Sequence, residues 1–225
     1  MRDYAQFIAK FMHLSSIAQS GSIRCAVALF ALFYAATASA SSLSDIDRQL
    51  AVDLAKAVSW VEPRTGQSGA HPLSVQTLSI EKHVRKKNKQ ERLARVYQFH
   101  YNLQQSRLVL INLDSNEVEK TQLINTVHLP LNATEMATAR TLVETSPDIM
   151  FRIRNEHDRR SATPLADLAT LDIKASIFEP GDQSHVCATQ RCALISLFDQ
   201  THTVFSVEPL VNLQRLTVTT LQANQ

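Results

Sequence analysis

The chain has 225 residues, 23 lysines and arginines against 21 aspartates and glutamates, and 44% apolar residues. That balance suits a folded globular chain and is too apolar for intrinsic disorder. It carries four glycines, with only Gly66, Gly69 and Gly181 beyond residue 40, and no GxGxxG, GxxxxGKS/T or GxSxG run. Phosphate-cradling loops and the nucleophile elbow of hydrolases therefore lack their usual material.

Arg24 precedes an apolar run from Cys25 to Ala36 that ends in Thr37-Ala38-Ser39-Ala40. A basic flank, a short hydrophobic core and an A-x-A box predict a signal peptide over residues 1–40, cleaved before Ser41. The run is shorter than the ~20 apolar residues of a stable bilayer anchor. No membrane span is expected after cleavage, and an uncleaved N-terminal anchor is the competing reading. Met12 is a second candidate start, and no lipobox surrounds Cys25. The expected location is periplasmic or secreted. Losing residues 1–40 removes Arg2, Lys10, Arg24 and Asp3, which leaves twenty bases and twenty acids. A neutral chain gives no general attraction to nucleic acid or anionic membrane. The expected partner is an unidentified protein.

The remaining sequence divides into two similar parts, predicted as modules over residues 41–128 and 129–225. In the first, Leu43, Ile46, Leu50, Leu54, Ala57, Val58 and Val61 recur at helical spacing, with Ser44 and Asp47 as a cap. Pro63, Gly66, Gly69 and Pro72 form a loop. Strands are expected at Val75–His83, Leu93–Leu103, Arg107–Leu113 and Val118–Val127. In the second of these, Tyr97, Phe99, Tyr101 and Leu103 alternate with Gln98, His100 and Asn102, the pattern of a strand buried on one face and wet on the other. Asp114-Ser115-Asn116 reads as a hairpin turn.

The second part repeats the order. Asn132 caps a helix with Glu135 three residues on and Met136, Ala139, Leu142 and Val143 as its apolar stripe. Pro147 opens a further short helix over Asp148–Arg160. Strands are expected at Leu171–Glu179, Arg191–Asp199, Thr203–Glu208 and Leu213–Leu221. The predicted fold class is α+β, two tandem modules of a helix packed on an antiparallel sheet of about four strands.

Cys187 and Cys192 form the sharpest local feature. In an oxidising compartment they most simply make a disulfide at a hairpin tip, stabilising by roughly 2 kcal/mol for so short a loop. A metal reading would add His185 and His202 to the two thiolates. The spacing is not the CxxC of a redox pair. Seven histidines follow residue 40, none in HxH or HExxH. His100 and His83 stand on strands expected to be neighbours. The run His83-Val84-Arg85-Lys86-Lys87-Asn88-Lys89 reads as a solvated hairpin turn or as a contact for an acidic partner. Asn132-Ala133-Thr134 fits a glycosylation sequon and is better explained as the helix cap. No catalytic residue, metal site or cofactor is expected.

Two stretches carry a family likeness. Arg107 to Glu119, followed by Leu129 to Asp148 with its Pro130-Leu131-Asn132-Ala133-Thr134-Glu135 helix start, resembles the small N-terminal domains of copper amine oxidases. There a hairpin ending one α+β domain runs into a Pro-Leu-Thr-x-x-Glu helix opening the next. The helix from Leu43 is similar to the one opening the earlier domain, and the hairpin also looks like PepSY-type exported modules. The resemblance covers residues 43–150 in pattern and 150–221 in element order. It implies accessory domains without the enzyme: Tyr101 is followed by Asn102, the wrong order for the family's quinone-forming tyrosine, and the HxH copper pair is absent. The resulting expectation is an exported, non-catalytic binding or assembly protein. The alternatives are a component or truncated relative of a copper/quinone-dependent amine oxidase, and a PepSY-like inhibitor or chaperone.

Overall fold

A capped amphipathic helix opens the fold. In the computed structural model, which describes residues 42–60, 71–86, 90–161, 163–165 and 168–221, helix α1 spans Asp45–Ala57, with Ser44 Oγ accepting the Asp47 amide at 3.1 Å. The expected signal peptide, the loop with Gly66 and Gly69, and Lys87, Asn88 and Lys89 lie outside the described residues. Ala51 and Ala55 of α1 pack on Ala94, Val96, Val109 and Ile111. The helix stops short of the run to Val61 that its spacing predicts. Arg107, reaching up from the sheet, donates Nη2 to Ala55 O at 3.0 Å and Nη1 to Ser59 O at 3.2 Å. A buried guanidinium thus serves carbonyls at the helix end, where Ala55 O also accepts the Val58 amide at 3.3 Å.

Strands β1 (Val75–His83), β2 (Leu93–His100), β3 (Gln105–Asn112) and β4 (Glu117–Ile124) form an antiparallel sheet in sequence order. The central β2 corrects the one-wet-face expectation. Ala94 and Val96 lie under α1, and Gln98 on the same side is fully buried. It tolerates burial because its carbonyl accepts Arg107 Nε at 2.8 Å and its amide reaches Thr77 Oγ1. Across the sheet, Phe99 and Tyr101 enter the largest core cluster, shared with Ala139, Val143, Ile153 and Ile195. His83 and His100 do not meet: His83 pairs with Leu93 and His100 with Val75, at opposite ends of β2. At the outer edge, β4 is solvent-exposed from Glu117 to Leu123. Lys120 in its middle and a register shift opposite Leu110 and Ile111 discourage pairing with another edge.

Helices α2 (Ala133–Glu144) and α3 (Pro147–Asp158) follow, so the second sheet is accompanied by two helices. Pro147 starts α3, where a missing N–H costs nothing. Strands β5 (Asp172–Ile177), β6 (Cys192–Phe198), β7 (Pro209–Asn212) and β8 (Thr217–Thr220) complete a second antiparallel sheet, again in sequence order. The third strand expected at Thr203–Glu208 is not there, and Pro209–Asn212 takes its place. Several backbone amides in that stretch serve side chains instead of a ladder, while Phe205 N keeps a bond to Leu197 O at 2.9 Å. Thr201 and Thr203 donate theirs to Asp199 Oδ1, and Ser206 and Val207 donate theirs to the Glu156 carboxylate. Only a single bridge, Phe198 to Val204, remains. The fourth strand is likewise shorter than the predicted Leu213–Leu221, because Leu213 to Leu216 form its turn.

The two sheets share a detail beyond element order. Asn112 Oδ1 accepts the Asp114 and Ser115 amides, and Asn212 Oδ1 accepts those of Gln214 and Arg215. Leu113 N bonds Arg92 O as Leu213 N bonds Arg191 O. Asn116 and Leu216 close the two turns in the left-handed region, at φ 57° and 55°. Residues a hundred positions apart thus build one hairpin twice, Leu110-Ile111-Asn112-Leu113 and Leu210-Val211-Asn212-Leu213. The described residues from Leu43 onward form one compact unit.

Candidate functional site

The most concentrated chemistry in the fold is a buried ion pair. Glu135, in the first turn of α2, and Arg191, one residue before β6, are both fully inaccessible. Arg191 Nε and Nη2 each donate to one Glu135 oxygen at 2.8 Å, a two-pronged pairing. The remaining donors reach Val127 O at 2.6 Å, Leu129 O at 3.0 Å and Pro130 O at 3.2 Å. All five guanidinium N–H groups are therefore engaged. Tyr101 donates its hydroxyl to Glu135 Oε1 at 2.6 Å. Burial, then the neighbouring carboxylate, drives the phenol pKa well upward, so Tyr101 stays protonated. Glu135 Oε2 also accepts the Asn132 amide while Asn132 Oδ1 accepts the Glu135 amide, the reciprocal cap its spacing predicts. Asn132 Nδ2 continues to Gln76 Oε1 and Thr77 O, both at 2.9 Å. The sequon amide is thus held inside the fold.

Arg107 is the second buried cation, with its guanidinium carbon 3.8 Å from the Trp60 ring centre. Burial pulls its pKa down to about 10. Glu156 is the second buried carboxylate among the described residues, bonded to Arg160 and to Ser206 N, Ser206 Oγ and Val207 N. Burial alone would raise its pKa; those bonds outweigh it and hold the carboxyl below the usual value.

Cys187 and Cys192 are joined as a disulfide and lie buried. Their sulfurs are bonded to each other, and the other two metal candidates stand apart in role. His185 caps a short 3-10 turn, its Nδ1 accepting the Cys187 amide at 3.1 Å. His202 sits at φ 61° in the separate turn organised by Asp199. Among the described residues no three His, Cys, Asp or Glu side chains gather as a metal site would. His128 reaches Cys187 O with Nε2 at 2.9 Å and has Glu179 3.8 Å from Nδ1. In the basic run, Arg85 pairs with Glu91 and Glu119, so this part of the hairpin is locally neutralised.

Of the clefts on the described surface, two adjoin the Arg160 and His128 side chains. One of about 380 Å³ lies where α3 meets the Asp199–Phe205 turn, between His157, Arg160, Asp199 and Thr201, over Leu171 and Phe205. Its charged groups bind its own walls: Arg160 to Glu156 and Val204 O, Asp199 to Thr201 and Thr203. The other, about 480 Å³, is lined by amides and hydroxyls including Gln104, Gln105, Asn125, Thr126 and Gln183. Among the described residues no helix is long and apolar enough to cross a membrane.

The sequence around Glu135, Arg191 and Arg107 carries no motif that marks their chemistry. Glu135 stood only as a capping acid, and the signal for Arg191 and Arg107 was an arginine at the start of an otherwise apolar strand.

No protein-family model matches the chain, and neither does any curated protein. Among solved structures it is similar to a copper-containing benzylamine oxidase from Hansenula polymorpha, at 14% identity and a TM-score of 0.49, over 79% of this chain and 29% of that one. The chain thus spans less than a third of that protein's length.

Proposed function

We propose that the chain is an exported, non-catalytic protein that binds or assembles with another protein. One observation carries this reading. The carboxylates, the phenol and the guanidinia that the fold buries, on Glu135, Glu156, Tyr101, Arg107 and Arg191, are bonded within the chain. General acid–base or nucleophilic chemistry needs a group held in a cavity with a lone pair or proton to offer substrate. Here those groups brace the frame. Export is supported by the leader pattern of residues 25–40 and by the buried disulfide, which suits an oxidising compartment.

The test is purification of the tagged protein from its secreting host under native conditions. Intact mass should start at Ser41, and one protein should co-elute in fixed proportion and rebind after separation. The same material, loaded with copper, should release no peroxide with a simple primary amine and show no redox-cycling quinone stain. A chain that elutes alone and turns over the amine would replace this reading with that of an amine oxidase component.

A further inference from the structure

We propose that His71 is a latch between the two sheets that closes only while its ring is neutral. The geometry fixes the ring's protonation. Nδ1 lies 3.1 Å from the Leu73 amide, which can only donate, and Nε2 lies 3.0 Å from Leu213 O, which can only accept. Both bonds exist together only in the neutral tautomer with hydrogen on Nε2. A second proton would sit on Nδ1, facing the Leu73 N–H, and would convert an attractive contact into a repulsive one.

What the latch joins is specific. On one side is the turn leading into β1: Ser74 N bonds His71 O, Ser74 stands at φ 46°, and Tyr101 N bonds Ser74 O. On the other is the β7–β8 turn, held again beside it by Gln214 Nε2 on Tyr101 O at 2.6 Å. The His71 ring lies flat on Tyr101, with ring centres 4.5 Å apart and planes 9° from parallel. Its amide donates to Asn102 Oδ1 at 2.8 Å.

The surroundings offer an imidazolium little. Among the described residues the titratable group stacked on the ring is the neutral phenol of Tyr101, and behind it Glu135 and Arg191 neutralise each other. From the β7–β8 turn the contacts are the backbone at Leu213 and Gln214, with Arg215 next in the chain. Burial lowers the His71 pKa from 6.5, and the bonds to Leu213 and Gln214 offset that only in part. The unfolded chain therefore takes up this proton at higher pH than the folded one. Stability associated with His71 is complete above the ordinary histidine value and declines as pH falls below it. His100 and His185 also accept an amide at Nδ1, so the part specific to His71 must be isolated.

The experiment compares the full mature protein with His71→Asn, which keeps a side-chain acceptor for the Leu73 amide and cannot titrate. Melting temperature is measured at pH 7.5 and 5.5, with hydrogen exchange over residues 71–74 and 213–217. The wild type should lose more melting temperature on acidification than the variant and should lose protection in both segments. Histidine resonances of the wild type, followed through the same range, should show His71 titrating below free histidine. That last measurement stands even if the variant does not fold. Titration at or above the free value, or equal acid sensitivity of the two proteins, would overturn the proposal.

Discussion

Leu216 occupies backbone space that its side chain resists. Its φ of 55° repeats the 57° of Asn116 in the equivalent turn, where an asparagine is at home. A left-handed conformation costs an ordinary residue about 1–2 kcal/mol. Leu216→Gly should therefore raise stability by about 1 kcal/mol, less whatever the half-buried leucine side chain contributes, whereas Asn116→Ala should lower it. Urea denaturation of both variants checks the opposite signs. Arg191 presents the reverse situation, a residue whose five donors all have partners. Replacing it with Met leaves the Glu135 charge and three carbonyls unpaired in a dry interior. The expected loss is about 3–5 kcal/mol, the range for breaking a buried pair from one side. A loss under 1 kcal/mol in the same urea assay would mean that water reaches the site.

At the scale of elements, the disulfide and the side-chain-bonded turn explain why one part of the second sheet could be read and another could not. Cys187 and Cys192 close a loop whose Cα atoms are 5.6 Å apart. The unreduced, denatured chain from Ser41 onward should show no labelled thiol, and reduction should cost roughly 2 kcal/mol by the loop-closure relation. Two labelled thiols together with bound zinc would instead restore the four-ligand reading. The cysteine spacing was visible as residues. The Thr203–Glu208 stretch carries the strand propensity of Thr, Val and Phe, while the amides of Thr203, Ser206 and Val207 go to the Asp199 and Glu156 side chains. Glu156 lies about fifty residues away on α3. No local pattern encodes that destination, and propensity yields to it. The end of α1 failed in the same way, since Arg107 caps it from 52 residues downstream. By contrast, β1 and the cap at Asn132 followed from alternation and spacing, because their partners lie in adjacent residues or on the neighbouring strand.

At the scale of the whole molecule, the order of helix and strands was legible twice over, as was the α+β class. The joining of the sheets was not. It depends on Phe99 and Tyr101 passing their apolar bulk into the core beside α2, and on Arg191 binding carbonyls 61 to 64 residues earlier in the chain. Those same contacts govern how the chain reaches and leaves its native state. With the first sheet formed and β6 still loose, Glu135 and the carbonyls at 127, 129 and 130 would lack the guanidinium that answers them. With β6 formed alone, Arg191 would be stripped of water with nothing to meet. Either half-assembled species carries a penalty of several kcal/mol. Intermediates should thereby be depopulated, so that far-ultraviolet circular dichroism and the Trp60 emission should report one coincident unfolding transition. Closing such distant contacts before any of them is rewarded also makes folding slow relative to a chain of local contacts. A newly made molecule would consequently spend its vulnerable interval fully open, and the proteases and chaperones around it would meet an unfolded chain rather than a half-built one.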